Sequence, residues 1–129
     1  MDEAVMSDTR ILLIDDDQEV GRALGRLLTH RGYDVVLAGS GPEGLQKLSD
    51  GPWDLVLTDL FMPEVDGLEV TRAALRLDPV PAIRIMTGTP DSDLVDDAAK
   101  LMGSPPLAKP MSSDQLYAAV EAALASHKS

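Results

Sequence analysis

The sequence predicts a doubly wound α/β domain, a parallel sheet with helices on both faces. Three observations predict it. Strand-like and helix-like segments alternate five times along the 129 residues, which is the pattern of successive βα units. The strand-like runs are short and nearly continuous in apolar residues, as strands covered on both faces must be. Four of the five runs also end in a polar group: Asp15 and Asp16, then Asp59, Thr87 and Lys109. A parallel sheet gathers those ends at one edge, and that edge is where ligands bind in open α/β sheets.

Each element has its own signal. Residues 1–8 read as a frayed lead-in, 9–126 as the domain and 127–129 as a tail. Arg10 to Ile14 is an apolar run that stops in the acids Asp15, Asp16 and Asp17. Val20, Leu24, Leu27 and Leu28 recur at helical spacing, with Gly32 at the C′ position of that helix. Val35, Val36 and Leu37 make a second strand. Ser40 with Glu43 fits a capping box for the next helix, Pro42 suits its first turn, and Leu45 and Leu48 are its buried face. Asp50-Gly51-Pro52 breaks the chain before the central run, Leu55 to Leu57, which ends at Asp59. Met62-Pro63 and Asp66-Gly67 then turn it. Leu68, Ala74 and Leu75 suggest a third helix ending near Asp78-Pro79. Ala82 to Thr87 is a fourth strand. Leu94, Val95, Ala98, Leu101 and Met102 mark a fourth helix stopped by Gly103. Leu107-Ala108 is a very short fifth strand. Ser112 with Gln115 caps a last helix carried by Leu116, Val120 and Leu124.

Composition narrows the function. An apolar content of 44% supports a real core, and the absence of cysteine removes disulfides, thiolate chemistry and cysteine-based zinc sites. The formal net charge of −11 argues against non-specific binding to nucleic acid or anionic membranes. No apolar run approaches membrane-spanning length, and the acidic start, Met1 to Met6, lacks a signal peptide's basic region. A cytoplasmic protein is expected.

Carboxylates crowded at one sheet edge repel one another, and a divalent cation relieves this. Mg²⁺ prefers one or two carboxylates together with water and phosphate oxygens, and a lysine and a hydroxyl beside it suit a phosphoryl group. Each residue has a plainer alternative. Asp16 with Glu19 could cap a helix, Asp17 could be capping or solvated, Asp59 could close a loop, and Thr87 could be strand filler. Their shared order along one sheet edge gives the set its weight.

In that order, Ile11-Leu12-Leu13-Ile14-Asp15-Asp16, Thr58-Asp59 with Met62-Pro63 and Asp66-Gly67, Thr87-Gly88 and Lys109-Pro110 resemble the receiver domain of two-component response regulators, over residues 9 to 125. The resemblance implies a flavodoxin-like fold of five strands in the order 2-1-3-4-5 with five helices. It implies that Asp59 accepts a phosphoryl group from a sensor histidine kinase or a histidine phosphotransfer protein. Asp16, Asp59 and the Phe61 backbone carbonyl would ligate Mg²⁺, with Asp15 assisting through water. Lys109 would pair with the acyl phosphate, Thr87 would swing to hydrogen-bond it, and Gly88 would leave the pocket open. A cis Lys109-Pro110 bond is also implied.

The sequence departs from that family's pattern at three places. Pro106 stands where an aromatic is usual, three residues before the lysine. Arg84 places a charge in a strand that should be buried, where it must be paired or snorkel. Phe61 is bulkier and less polar than is usual two residues after the acceptor. No second domain follows, so output is expected through a partner protein, or the domain serves as a relay or phosphate sink. Two alternatives remain at this level. Asp15-x-Asp17 after an apolar strand also fits a Mg²⁺-dependent haloacid-dehalogenase-like phosphohydrolase, although Glu19 stands where that pattern has Thr or Val. The other is a degenerate receiver acting only as a scaffold.

Overall fold

The computed structural model describes residues 9–128. The N-terminal lead-in, residues 1–8, and Ser129 lie outside the described residues. Five strands and five helices alternate: β1 (Arg10–Ile14), α1 (Gln18–His30), β2 (Asp34–Ala38), α2 (Gly41–Leu48), β3 (Leu55–Asp59), α3 (Gly67–Ala74), β4 (Ala82–Thr87), α4 (Asp93–Met102), β5 (Leu107–Ala108) and α5 (Ser113–Lys128). The strands form one sheet in the order β2-β1-β3-β4-β5, and every pairing is parallel.

Alternation along the strands divides the core between the two faces of the sheet. Ile11, Leu13, Leu55 and Leu57 join Leu24, Leu28, Leu116 and Val120 under α1 and α5. Leu12, Ile14 and Val56 join Leu48, Trp53, Val70 and Ala74 under α2 and α3. A third cluster, with Leu60, Leu68, Ile85, Val95 and Ala98, seats α4. All five residues of β3 are buried. Each fully buried aliphatic side chain contributes about 1.5–3 kcal/mol, so β3 is pinned in place by its own composition.

Polar side chains fix where the helices begin. Asp17 caps α1, accepting from the N–H groups of Glu19 and Val20; the cap is therefore Asp17 and not Asp16. Gly32, at φ 93°, takes the left-handed turn that ends α1. Ser112 and Gln115 close a full capping box, through Gln115 N–H to Ser112 Oγ at 3.1 Å and Ser112 N–H to Gln115 Oε1 at 2.9 Å. Ser40 caps α2, but the box expected there does not close. Glu43 Oε1 instead accepts from Gly39 N–H at 2.7 Å, one residue further back. A box absent from the sequence reading forms at α3, between Asp66 and Glu69.

Four expectations are corrected. α3 ends at Ala74 rather than near Asp78, and Leu75 turns outward, 43% exposed. Leu101 lies on the solvent side of α4, 37% exposed. Leu37 is 40% exposed, because β2 is an edge strand with only α1 and α2 nearby. Residues 127 and 128 belong to α5, not to a tail.

Candidate functional site

The sheet delivers Asp15, Asp59, Thr87 and Lys109 to the carboxyl edge, as the strand endings require. Asp15 follows β1, Asp59 and Thr87 are the last residues of β3 and β4, and Lys109 follows β5. Asp15, Asp59 and Thr87 are buried, with exposures of 2%, 7% and 3%. Asp16 is exposed, as is Phe61.

Lys109 Nζ lies 3.0 Å from Asp15 Oδ2 and 3.3 Å from Asp59 Oδ2. One ammonium therefore serves two buried carboxylates. The remaining oxygens take backbone donors: Asp15 Oδ1 accepts from Asp17 N–H at 3.0 Å, and Asp59 Oδ1 from Leu60 N–H at 3.0 Å. Neither donor was legible in the sequence, because a backbone N–H carries no residue identity.

The charges do not balance. Burial, and then the Asp15 charge, push the Asp59 carboxyl from 3.8 up to about 6, against the pull of Lys109 and the Leu60 amide. Burial would lower the Lys109 ammonium, but Asp15 and Asp59 together outweigh it and leave it raised. Asp16 adds a third carboxylate without adding a cation. Ligand oxygens of Asp15, Asp16 and Asp59 all lie within 4.8 Å of one another. Three hard oxygen donors around an uncompensated negative charge fit Mg²⁺. The Phe61 carbonyl accepts no backbone hydrogen bond among the described residues.

The loop under the site is held by close backbone approach. A Cβ on Gly67 would sit 2.5 Å from the Asp59 carbonyl oxygen, and one on Gly41 would run into the Val65 carbonyl oxygen. Glu64 takes a positive φ of 71° within the turn they enclose.

The Thr87 hydroxyl is engaged with the loop that follows β4. Its oxygen accepts from Thr89 N–H at 3.0 Å, and the hydroxyl donates to the Thr89 carbonyl at 3.3 Å. Gly88 is exposed, and a Cβ there would meet nothing within 4 Å; the pocket is open at this point without steric need for glycine. The Lys109-Pro110 bond is cis, in agreement with the resemblance.

This acidic edge, on this strand order, defines a class of signalling domain. Residues 11–121 match the response regulator receiver domain, and the chain belongs to that family. It is 39% identical over 102 residues to the response regulator receiver protein CpdR of Brucella abortus, covering 74% of this chain and 84% of that one. It is 36% identical over 115 residues to the transcriptional regulatory protein ZraR of Escherichia coli K12, but spans only 26% of that longer protein. Among solved structures, a response regulator receiver domain protein from Clostridium thermocellum superposes with a TM-score of 0.82 at 32% identity, covering 93% of this chain and 97% of that one. Family membership replaces the dehalogenase-like alternative. The proteins of this family signal and are not turnover enzymes.

Proposed function

We propose that the chain is a response regulator that takes a phosphoryl group on Asp59 from a sensor histidine kinase or a histidine phosphotransfer protein, and passes the signal to a partner protein or the phosphoryl group along a relay. The observation that carries this reading is the placement of Asp59: buried at the end of the central strand, between Lys109 and a pair of further carboxylates.

Transfer forms a bond from an Asp59 carboxylate oxygen to phosphorus and breaks the N–P bond of the donor, whose electron pair returns to the imidazole. At neutral pH, a carboxyl of pKa about 6 is mostly ionised and thinly solvated, as a nucleophile should be. Leu60 N–H fixes one Asp59 oxygen, and the other faces Lys109. After transfer, Lys109 pairs with the new phosphoryl oxygens. Mg²⁺ held by Asp16, Asp59 and the Phe61 carbonyl, with Asp15 assisting through water, would neutralise those oxygens. To reach the phosphoryl group, Thr87 gives up both bonds to Thr89, at a net cost of about 0.5–1.5 kcal/mol each. That change carries the loop from Gly88 onward and is the outgoing signal.

Incubation with acetyl phosphate and Mg²⁺, read by intact mass and site mapping, tests the assignment. One phosphoryl group should appear on Asp59, depend on Mg²⁺, and be absent from Asp59→Asn. Label that persists at a similar rate in the variant would sink the assignment. A wild type that takes no label would return the scaffold reading.

A further inference from the structure

The two sides of the sheet differ in cover. On the β4 side, Ser104, Pro105 and Pro106 pack against Ile83, Arg84 and Ile85 around a void of only about 10 Å³. Arg84 makes no hydrogen bond and no ion pair among the described residues, and burial pushes its pKa down. On the other side β2 ends the sheet, and β1 is its one neighbour among the described residues. Asp34 N–H donates to the Thr9 carbonyl, and the Ala38 carbonyl accepts from Asp15 N–H, so the even-numbered residues of β2 aim their backbone groups at β1. Val35 and Leu37 therefore aim theirs outward, where no strand lies. Edge strands are commonly blunted by lysine, proline or a bulge. Asp34-Val35-Val36-Leu37-Ala38 has neither lysine nor proline, and it pairs with β1 in unbroken register. Its one charge is at its first residue.

A groove of about 450 Å³ lies beside this edge, between β2 and α1. Val35 and Leu37 line it from the strand, and Arg22, Gly25, Arg26 and His30 from the helix. Leu37 is 40% exposed, and Gly25 has no side chain to cover it; a Cβ there would sit 3.1 Å from Leu37 Cδ2. Arg22, Arg26 and His30 recur every fourth residue, so they stand in one row along α1. None of the three makes a hydrogen bond or ion pair among the described residues. No acidic side chain lines the groove, although the chain carries a net charge of −11. The adjoining pocket, past Leu37, holds Asp15 and Glu43, so the basic stretch is bounded.

An open edge selects extended backbone, and a row of unpaired cations selects carboxylates. Spacing joins the two. Alternate residues of a strand stand about 6.6 Å apart on one face, and residues one turn apart on a helix about 6 Å apart. Two carboxylates at i and i+2 of an extended segment therefore match Arg22 and Arg26.

We propose that the outer edge of β2 docks an acidic extended segment of a partner protein by strand addition, with carboxylates at alternate positions seated on Arg22 and Arg26. Side chains directly opposite in a ladder share a face. The two acids lie opposite Val35 and Leu37, on the α1 face. The residue between them lies opposite Val36, which packs on the α2 and α3 face, and is apolar. A second copy of this chain fits less well, because antiparallel pairing of two β2 edges would bring their basic rows together over the junction.

The probe is acetyl-Thr-Glu-Val-Glu-Thr-amide, titrated to millimolar concentration into the ¹⁵N-labelled full chain. The expected result is a saturable shift of the Val35 and Leu37 amides, with slowed hydrogen exchange at both. An exposed charge pair is worth about threefold, so the peptide with Gln for both Glu should bind about tenfold more weakly. Acetyl-Thr-Glu-Glu-Val-Thr-amide has the same charge but puts its carboxylates on opposite faces, and should bind about threefold more weakly. Arg22→Gln combined with Arg26→Gln should lose about tenfold with the Glu-Val-Glu peptide and should no longer distinguish the three. If that variant does not fold, the three peptides on the wild type decide alone. The proposal is overturned by the absence of a saturable shift at these amides, by equal binding of the Glu-Val-Glu peptide and either of the others, or by discrimination that survives the double substitution. Shifts of the same amides on dilution without peptide would assign the edge to a second copy of this chain. Shifts caused by Asp2→Asn with Glu3→Gln would assign it to the chain's own acidic start. Either would overturn the proposal as well.

Discussion

The middle of the sheet and its β4–β5 margin are built on opposite terms. In the middle, β1 and β3 are five-residue strands paired along almost their whole length. Their apolar residues are fully buried, and the loop after β3 is pressed against backbone through Gly67. At the margin, β5 has two residues, two consecutive prolines replace its lead-in, and β4 pairs with it only at Met86 and Thr87. The Asp59 carboxylate stands on the first region, and Thr87, which must respond to it, on the second. Rigidity is placed where a nucleophile must be positioned, and thin pairing where a change has to pass outward.

The sharpest way to break that contrast is to crowd the middle. Gly67→Ala places a methyl 2.5 Å from the Asp59 carbonyl oxygen and 2.9 Å from Leu60 Cα. Both neighbours are backbone and cannot rotate away, so a loss of about 3 kcal/mol is expected, at the upper end of overpacking costs. Urea denaturation measures it. A loss below about 0.5 kcal/mol would mean that the loop yields easily and that the middle is not rigid.

The next effect is electrostatic. The folded Asp59 carboxyl titrates near 6 against 3.8 unfolded, so the native state holds the extra proton between those values. Stability of the metal-free protein should therefore fall as pH rises from about 4 to about 6 and stay low above that. A shift of about two units corresponds to about 3 kcal/mol at ~1.36 kcal/mol per unit. Asp59→Asn should be more stable than wild type by up to that amount at pH 7, and by almost nothing at pH 3.5. Mg²⁺ should stabilise the wild type and reduce the difference. An equal gain for the variant at both pH values would show that Asp59 carries no charge penalty.

Much of the middle was legible in the sequence, and less of the margin. Leu55 to Leu57 could be read as a buried strand because its composition leaves no other use for it, and the strand endings placed Asp15, Asp59, Thr87 and Lys109 on one edge. Gly103 and Gly32 marked helix ends through conformations few other residues take. What stayed hidden depends on tertiary geometry. Whether Glu43 reaches the amide of Gly39 or that of Ser40 is a matter of loop direction. The outward turn of Leu75 depends on where α3 stops, and helical spacing does not mark that point. Arg84 could be seen as anomalous, but the absence of a partner is a property of its surroundings. The resting bonds from Thr87 to Thr89 had no signal at all.

The smallest expected effect lies at Pro106. A side chain that follows Thr87 by changing rotamer is impossible there, because the proline ring fixes φ and has no such freedom. Pro105 and Pro106 pack beside Ile85, Ala98 and Met102 around a cavity of only about 10 Å³, so a moving group would find no room. Displacement should therefore leave through Gly88 and the loop to Asp93, toward the start of α4, where Ser92 caps the helix by accepting from Val95 N–H. Amide shifts recorded with Mg²⁺, with and without beryllium trifluoride as a phosphoryl mimic, separate the two routes. Large changes are expected at residues 88–93 and only slight ones at 104–108. Comparable changes in both segments would show that the prolines transmit the signal after all, and that the margin moves as one piece.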